Sequence, residues 1–374
     1  MGTQRQCFCD HVGILPPFRP TRSSRMCTGI RLTADNGDVV YARTMEFDTP
    51  LPECIGYFPR GQRFVGETPS GADGMPWTNK YAFGGNVLVA GTRSLGSDGI
   101  NEKGLVAGVF NLPGYTEFTP VSDENRTRAL ASWQIVLYVL GNCATTDEAE
   151  AALLTGDVVV VDTEFPFTPE TKGQLPLHLR VGDPSGKTII CEWHAPNQPP
   201  TILESPGGCV TNPPRFEFHL DNWEHYKSLS PYNPAGPITA GSQDYKITMG
   251  NGYVGMPGGS NSPDRFIRAS LYARDAYAAA TGSEAVWTAW HVMNNFDLPR
   301  GILRNVTDTG VESTEYTLWT SVADTKNLTY YYRVYENPAI YELDLKAQDP
   351  TGGAVLIDNR PSTAPTVTVP AQFT

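Results

Sequence analysis

The residue best placed to do chemistry in this sequence is Cys27, which follows Met26 directly in Met26-Cys27-Thr28-Gly29-Ile30. A strand pattern carrying Ile30 and Leu32 runs into the turn Asp35-Asn36-Gly37-Asp38 and returns along Val39-Val40-Tyr41-Ala42-Arg43. Asn-Gly between two such runs is a strong short-range hairpin signal. If everything before Cys27 is removed, a thiol and an α-amine share one residue, and the nucleophile carries its own base. An α-amine titrates near ~7.7–8.0, which suits a general base around neutral pH. The competing reading is a small cysteine packed at a strand start, a common arrangement.

Four other polar residues carry a bland and a chemical reading side by side. Arg43 and Glu46 lie three residues apart and could form a surface ion pair, which contributes little to stability. Asn111 and Asn212 are each followed closely by proline and suit simple turns. Arg265 could pair locally with Asp264 or Glu284. Other chemistries fail on spacing. Gly182-Asp183-Pro184-Ser185-Gly186-Lys187-Thr188 is one residue short of a phosphate loop and reads as a tight turn. No Gly-x-Ser-x-Gly elbow and no His-Glu-x-x-His run occurs. Cys7-Phe8-Cys9 with His11 is tighter than zinc spacing, and no second pair follows.

The elements that would position these groups come in blocks. Residues from Cys27 to about Leu112 read as strands and turns, including Gly56–Gly61, Asn86–Ala90 and Gly104–Phe110. A Gly/Pro-rich stretch at 66–78 reads as a loop on the substrate side. Helical spacing of Leu130, Trp133, Val136, Leu137 and Leu140 predicts a helix, and Thr146-Asp147-Glu148 the capped start of another. Strands return at Val158–Val161, Leu179–Val181, Ile189–Trp193 and Cys209–Thr211. Helices follow at Asp264–Ala279 and Ser283–Asn294, then strands at Tyr316–Ser321 and Thr329–Tyr335. This order predicts an α+β fold, two helix pairs covering stacked antiparallel sheets.

The 28 basic and 40 acidic residues leave a formal charge of −12, which argues against nucleic-acid partners. The longest apolar runs, such as Ile135–Leu140, are too short to span a bilayer, so stable membrane insertion is not expected. Seven scattered cysteines do not describe a disulfide scaffold. Residues 1–26 hold arginines and prolines but no secretory apolar core, so they read as a presequence or upstream extension, with a cytoplasmic protein following. Residues 27–374 then form one domain, with a loose Pro/Thr-rich tail from about 361.

Read together, several segments resemble the choloylglycine hydrolase/penicillin V acylase family of N-terminal-nucleophile hydrolases, from Cys27 to about Leu345. They are Met26-Cys27-Thr28, Arg43-Thr44-Met45-Glu46, Phe58-Pro59-Arg60-Gly61 and Asp98-Gly99-Ile100-Asn101-Glu102-Lys103-Gly104-Leu105. Phe110–Tyr115, Val210-Thr211-Asn212-Pro213-Pro214 and Ser262-Pro263-Asp264-Arg265-Phe266 complete the series. The resemblance implies a four-layer αββα fold and hydrolysis of a linear, non-peptide amide through a thioester on Cys27. It implies no metal or organic cofactor and an assembly of identical subunits, a tetramer. The substrate would join an apolar acyl group to a small polar amine, as in conjugated bile salts, penicillin V or acyl homoserine lactones. By the same resemblance Arg43 would favour the thiolate and Glu46 would hold the α-amine. The Asn212 side chain and the Asn111 N–H would form an oxyanion hole, and Arg265 would complete the charge network. Tyr57, Phe58, Trp77 and Tyr115 lie in loop-like text near these motifs and are candidates to line the acyl pocket. The family often has aspartate where this chain has Glu46.

Overall fold

The computed structural model describes residues 26–51, 53–90, 93–164, 175–233, 238–245, 250–306, 310 and 312–358. Cys7, Cys9, His11, the rest of the presequence up to residue 25 and the tail from 361 lie outside the described residues.

The Asn-Gly turn produces the expected hairpin of β1 (Met26–Thr33) and β2 (Val39–Phe47). There follow β3 (Glu53–Phe58), β4 (Arg63–Glu67), β5 (Asp73–Thr78), β6 (Phe83–Ala90), β7 (Arg93–Asn101) and β8 (Val106–Asn111). The short β9 (Ala129–Ala131) precedes α1 (Ile135–Asn142) and α2 (Thr146–Leu154). Next come β10 (Val159–Val161), β11 (Leu177–Gly182), β12 (Thr188–Glu192), β13 (Thr201–Glu204) and α3 (Phe216–Tyr226). A small hairpin of β14 (Ile238–Ala240) and β15 (Gln243–Tyr245) leads to α4 (Ser262–Asp275) and α5 (Gly282–Met293). The described chain closes with β16 (Leu303–Val306), β17 (Glu312–Asp324), β18 (Thr329–Val334), β19 (Asn337–Asp344) and β20 (Val355–Asp358).

Two antiparallel sheets result. One runs β1-β2-β17-β18-β19 with β16 on β17, the other β13-β12-β11-β8-β7-β6-β3-β20. The sheets meet through β1 with β8 and β18 with β7. Helices α1 and α2 cover the second sheet at β7, β8 and β11, while α4 and α5 cover the first at β1, β2 and β17. The layer order is therefore αββα.

Strand alternation sorts β2 between two cores. Val39, Tyr41 and Phe47 belong to the cluster between the sheets, joined by the partly buried Met45. Val40 and Ala42 belong to the cluster under α4 and α5, with Phe266, Ile267 and Trp290. Arg43 and Met45 accordingly point between the sheets, and Thr44 and Glu46 toward the helices.

Three sequence expectations are corrected. Residues 63–78 form the β4–β5 hairpin rather than a loop, closed by a turn in which the Thr68 hydroxyl donates to Ala72 O. The helix expected from Leu130 begins only at Ile135, because residues 129–131 pair in parallel with β10 and 132–134 form a 3₁₀ turn. Cys209–Thr211 contributes one bridge, Gly29 to Val210, rather than a strand. Helix α3 was not anticipated; its Phe-Glu-Phe-His-Leu-Asp-Asn-Trp run mixes aromatic and acidic residues without a clean apolar stripe.

Candidate active site

The site lies where the second sheet opens. Pairing of β7 with β8 runs from Ile100↔Val106 to Asp98↔Gly108 and ends there. Beyond that point Ser97 O and Val109 O turn to a different partner, Arg43, whose Nη1 donates to them at 3.1 and 2.8 Å. The guanidinium lies over the Phe110 ring, 4.1 Å from its centroid, and its Nη2 donates to Cys27 Sγ at 3.1 Å. The β1–β2 register makes this contact, because Cys27 sits opposite Met45 and Gly29 opposite Arg43 on one face. The thiol also reaches Met45 Sδ at 3.5 Å.

Asn212 holds the other side of Cys27. Its Oδ1 accepts from the Cys27 N–H at 2.7 Å and from Arg265 Nη2 at 2.8 Å, and its Nδ2 donates to Asn111 O at 2.9 Å. Two donors on one atom and a carbonyl beside the other leave a single sensible orientation for this amide. Arg265 Nη1 further donates to Cys27 O and Thr28 Oγ1 at 2.6 and 2.7 Å. The Asn212 backbone is pinned from both ends: its N–H donates to Ser262 Oγ, and its carbonyl accepts from Ser262 and His219. Leu112 N–H bonds to Pro176 O on the β11 side, so by strand alternation the Asn111 N–H faces the opening beside Cys27.

Four of the five polar residues expected around Cys27, namely Arg43, Asn111, Asn212 and Arg265, thus touch it directly or complete its contacts. Glu46 differs. It pairs across the hairpin with Met26, faces the helix layer, and its Oε1 accepts from Thr317 Oγ1 at 2.9 Å. The Cys27 N–H goes to Asn212 instead. Burial drives the Glu46 carboxyl up to about 7, against the pull of Arg265, Thr44, Thr317 and Arg43. Burial likewise pushes the Cys27 thiol up, and Arg43 pulls it down without prevailing; Glu46 raises it further and Arg265 lowers it. Cys27 is 2% exposed and Arg43 fully buried, so the surface-pair reading of Arg43 and Glu46 does not apply.

Cys27 lies in the wall of a small, mainly apolar pocket. Met45, Phe47, Leu51, Leu88, Leu95 and Val109 form much of its wall. Its hydroxyl-bearing residue, Ser97, already donates to Glu53 Oε1 at 2.9 Å. None of the four expected aromatics is among its described lining residues. Tyr57 and Phe58 are buried on β3, with Phe58 packed on Phe64 and Phe83. Trp77 stacks on Phe64 at 5.3 Å, and Tyr115 is exposed in the turn after β8. Nearness in sequence to a motif carried no information about the wall, because alternate residues of neighbouring strands build it. Met45 and Ser262 were missed for a related reason: both sit inside recognised motifs, yet only register and packing show what they touch.

Comparison with known proteins follows the same geometry. A family model described as linear amide C–N hydrolases, choloylglycine hydrolase family, matches residues 27–353. The chain is 28% identical over 332 residues to a bile salt hydrolase/transferase of Clostridium perfringens, covering 88% of this chain and 95% of that protein. The fold superposes on a conjugated bile acid hydrolase from Clostridium perfringens with a TM-score of 0.78 at 24% identity, covering 92% of this chain and 100% of that one. It superposes on penicillin V acylase from Agrobacterium tumefaciens with a TM-score of 0.67 at 26% identity, covering 89% and 91%. The αββα layering is that of the N-terminal-nucleophile hydrolases, as expected. The chain belongs to the choloylglycine hydrolase family of linear amide C–N hydrolases, enzymes that cleave carbon–nitrogen bonds other than peptide bonds.

Proposed function

We propose that Cys27 is the nucleophile, that the chain up to Met26 is removed to free its α-amine, and that the substrate seats an apolar acyl group in the pocket beside it. The observation that carries this reading is the Cys27 thiol lining an apolar pocket, with Arg43 Nη2 at 3.1 Å.

In the proposed reaction the α-amine takes the thiol proton, directly or through a water, and the sulfur attacks the amide carbonyl. This base offsets the burial that favours the thiol. The oxyanion forms within reach of the Asn111 N–H and the second hydrogen on Asn212 Nδ2; such donors act most strongly in a site that excludes water. The C–N bond breaks, the amine leaves with a proton, and a thioester remains. Water then attacks the thioester to give the carboxylic acid and the thiol. Asn212 Oδ1, already 2.7 Å from the Cys27 nitrogen, orients the amine, and Arg265 fixes Asn212. Glu46 lies opposite the place that Met26 vacates and supports the new amine from there. No described residue in this account needs a bound cofactor.

The pocket wall favours acyl groups with few hydroxyls, because Ser97 is committed and, apart from Asn111 beside Cys27, the other described lining side chains are aliphatic, aromatic or sulfur-bearing. We therefore rank phenoxyacetyl and fatty-acyl amides above hydroxylated steroid conjugates. A panel of penicillin V, acyl homoserine lactones, glycocholate and taurocholate tests the ranking. Intact mass of the active protein tests the processing, since retention of residue 26 removes the amine from the mechanism. Cys27→Ala must abolish hydrolysis; equal rates in variant and parent defeat the assignment.

A further inference from the structure

Asp98 opens one of the motifs, Asp98 to Leu105, that the proposed chemistry leaves unused. Most of that motif has a structural account. Asn101 Oδ1 accepts from Lys103 N and Leu105 N and closes the β7–β8 turn, and Glu102 takes both Nε and Nη2 of Arg60. Asp98 has no such local duty. It is 3% exposed, sits between the sheets, and takes the Ser321 hydroxyl at 2.7 Å and the Tyr330 hydroxyl at 3.0 Å, both on Oδ2. Tyr330 is itself held by Asn86 Nδ2 at 2.9 Å.

The other oxygen, Oδ1, accepts no hydrogen bond from the described residues and points to Arg43 Nη1 at 4.0 Å. Space for this approach comes from Gly108, where a Cβ would meet Asp98 Oδ1 at 2.5 Å and Arg43 Nη1 at 3.0 Å. Nη1 is already committed to two carbonyls, so Asp98 compensates the Arg43 charge without claiming the Nη2 hydrogens that face the sulfur. A second buried cation, Arg180, lies across Phe110, with guanidinium carbons 4.1 Å (Arg43) and 5.4 Å (Arg180) from the ring. Two buried arginines on one ring need a nearby anion, since an uncompensated buried charge is strongly destabilising.

We propose that Asp98 is a positioning residue: a buried counter-charge that fixes Arg43 from behind and moderates the positive field it exerts on Cys27. The inference rests on the reading of Cys27 as nucleophile for its catalytic consequence, but not for its test. The charged or titratable groups facing Asp98 are Arg43 from β2, Arg180 from β11 and Tyr330 from β18. Those whose charge acts on Cys27 are Arg43 beside it, Glu46 on the other face of β2, and Arg265 from α4. With the Asp98 charge removed, the thiolate is the anion left to answer Arg43, so the thiol ionises more readily.

The test is the rate of iodoacetamide labelling at Cys27 against pH in the full chain, read by peptide mass. Asp98→Asn keeps the shape and lowers the labelling midpoint by about one pH unit, roughly tenfold more thiolate on the acid limb. Ser321→Ala, which removes one donor to the carboxylate, moves the midpoint the same way by less. For a hydrolysed amide, kcat falls in Asp98→Asn while KM, set by the apolar wall, holds. A purely structural role leaves the midpoint in place in both variants, and an unchanged or raised midpoint in a folded variant overturns the proposal. If Asp98→Asn does not fold, Ser321→Ala alone decides. Labelling reports on the thiol whether or not Cys27 carries the reaction, so loss of the nucleophile reading through Cys27→Ala is seen separately.

Discussion

Glu46 offers a quantitative test, because its environment makes protein stability depend on pH in a direction opposite to that of most carboxylates. Its folded pKa, about 7, lies above the ordinary value of 4.5. Between those values the folded protein keeps a proton that the unfolded chain has released. The unfolded state therefore binds fewer protons, and stability falls as pH rises through that window. A rise from 4.5 to about 7, at ~1.36 kcal/mol per pH unit, makes the total about 3 kcal/mol. Roughly 2.5 kcal/mol of this falls between about pH 5 and pH 8. Glu46→Gln keeps the shape and the acceptor for Thr317 but cannot ionise. The comparison belongs in a Cys27→Ala background, which under the proposed chemistry keeps residue 26 attached and Glu46 as described. Urea unfolding at both pH values should show the Glu46→Gln protein gaining about 2–3 kcal/mol over its parent on going to the higher pH. Parallel stabilities, differing by the same amount at both, would refute the link between burial and the raised pKa. In processed enzyme the new ammonium opposite Glu46 should pull the carboxyl back down, so the same comparison there should give a smaller difference.

Three further substitutions probe the contacts of Cys27, the pocket wall and a control position away from it. Asn212→Ala removes the anchor of the Cys27 nitrogen and one proposed oxyanion donor, and kcat for any cleaved amide should fall by ~10²–10³. If kcat holds and only KM changes, Asn212 serves binding instead. Leu95→Phe narrows the pocket, so KM should rise about tenfold for long acyl chains, a loss of ~1.4 kcal/mol, and change little for acetyl amides. Trp77→Phe, away from that wall, should lower stability by about 1 kcal/mol and leave KM alone for every chain length; a Trp77 effect on KM as large as that of Leu95 would mean the pocket is wrongly drawn.

What could be read in advance follows from which interactions are local. The hairpin around Asn36-Gly37 was legible because turn chemistry and strand period agree within about twenty residues. The α4 and α5 helices were legible as helices from their sequence pattern, and the structure adds the caps Asn261 and Thr281 at their starts. The motifs located Cys27, Arg43, Asn111, Asn212 and Arg265, but not the side of the strand on which each acts. Glu46 shows why. In Arg43-Thr44-Met45-Glu46 an arginine and an acid three apart look like partners, yet strand geometry places them on opposite faces, one toward the thiol and one toward the helices. The pocket was illegible for a further reason. It exists because β7 and β8 stop pairing at Asp98↔Gly108, and nothing in either strand alone announces that break. Arg43, reaching from the other sheet, takes the carbonyls that the break exposes. The opening beside Cys27 is therefore a property of two sheets meeting around one buried cation, which is why Arg43 lies nearest the thiol and why Gly108 and Asp98 must leave it room.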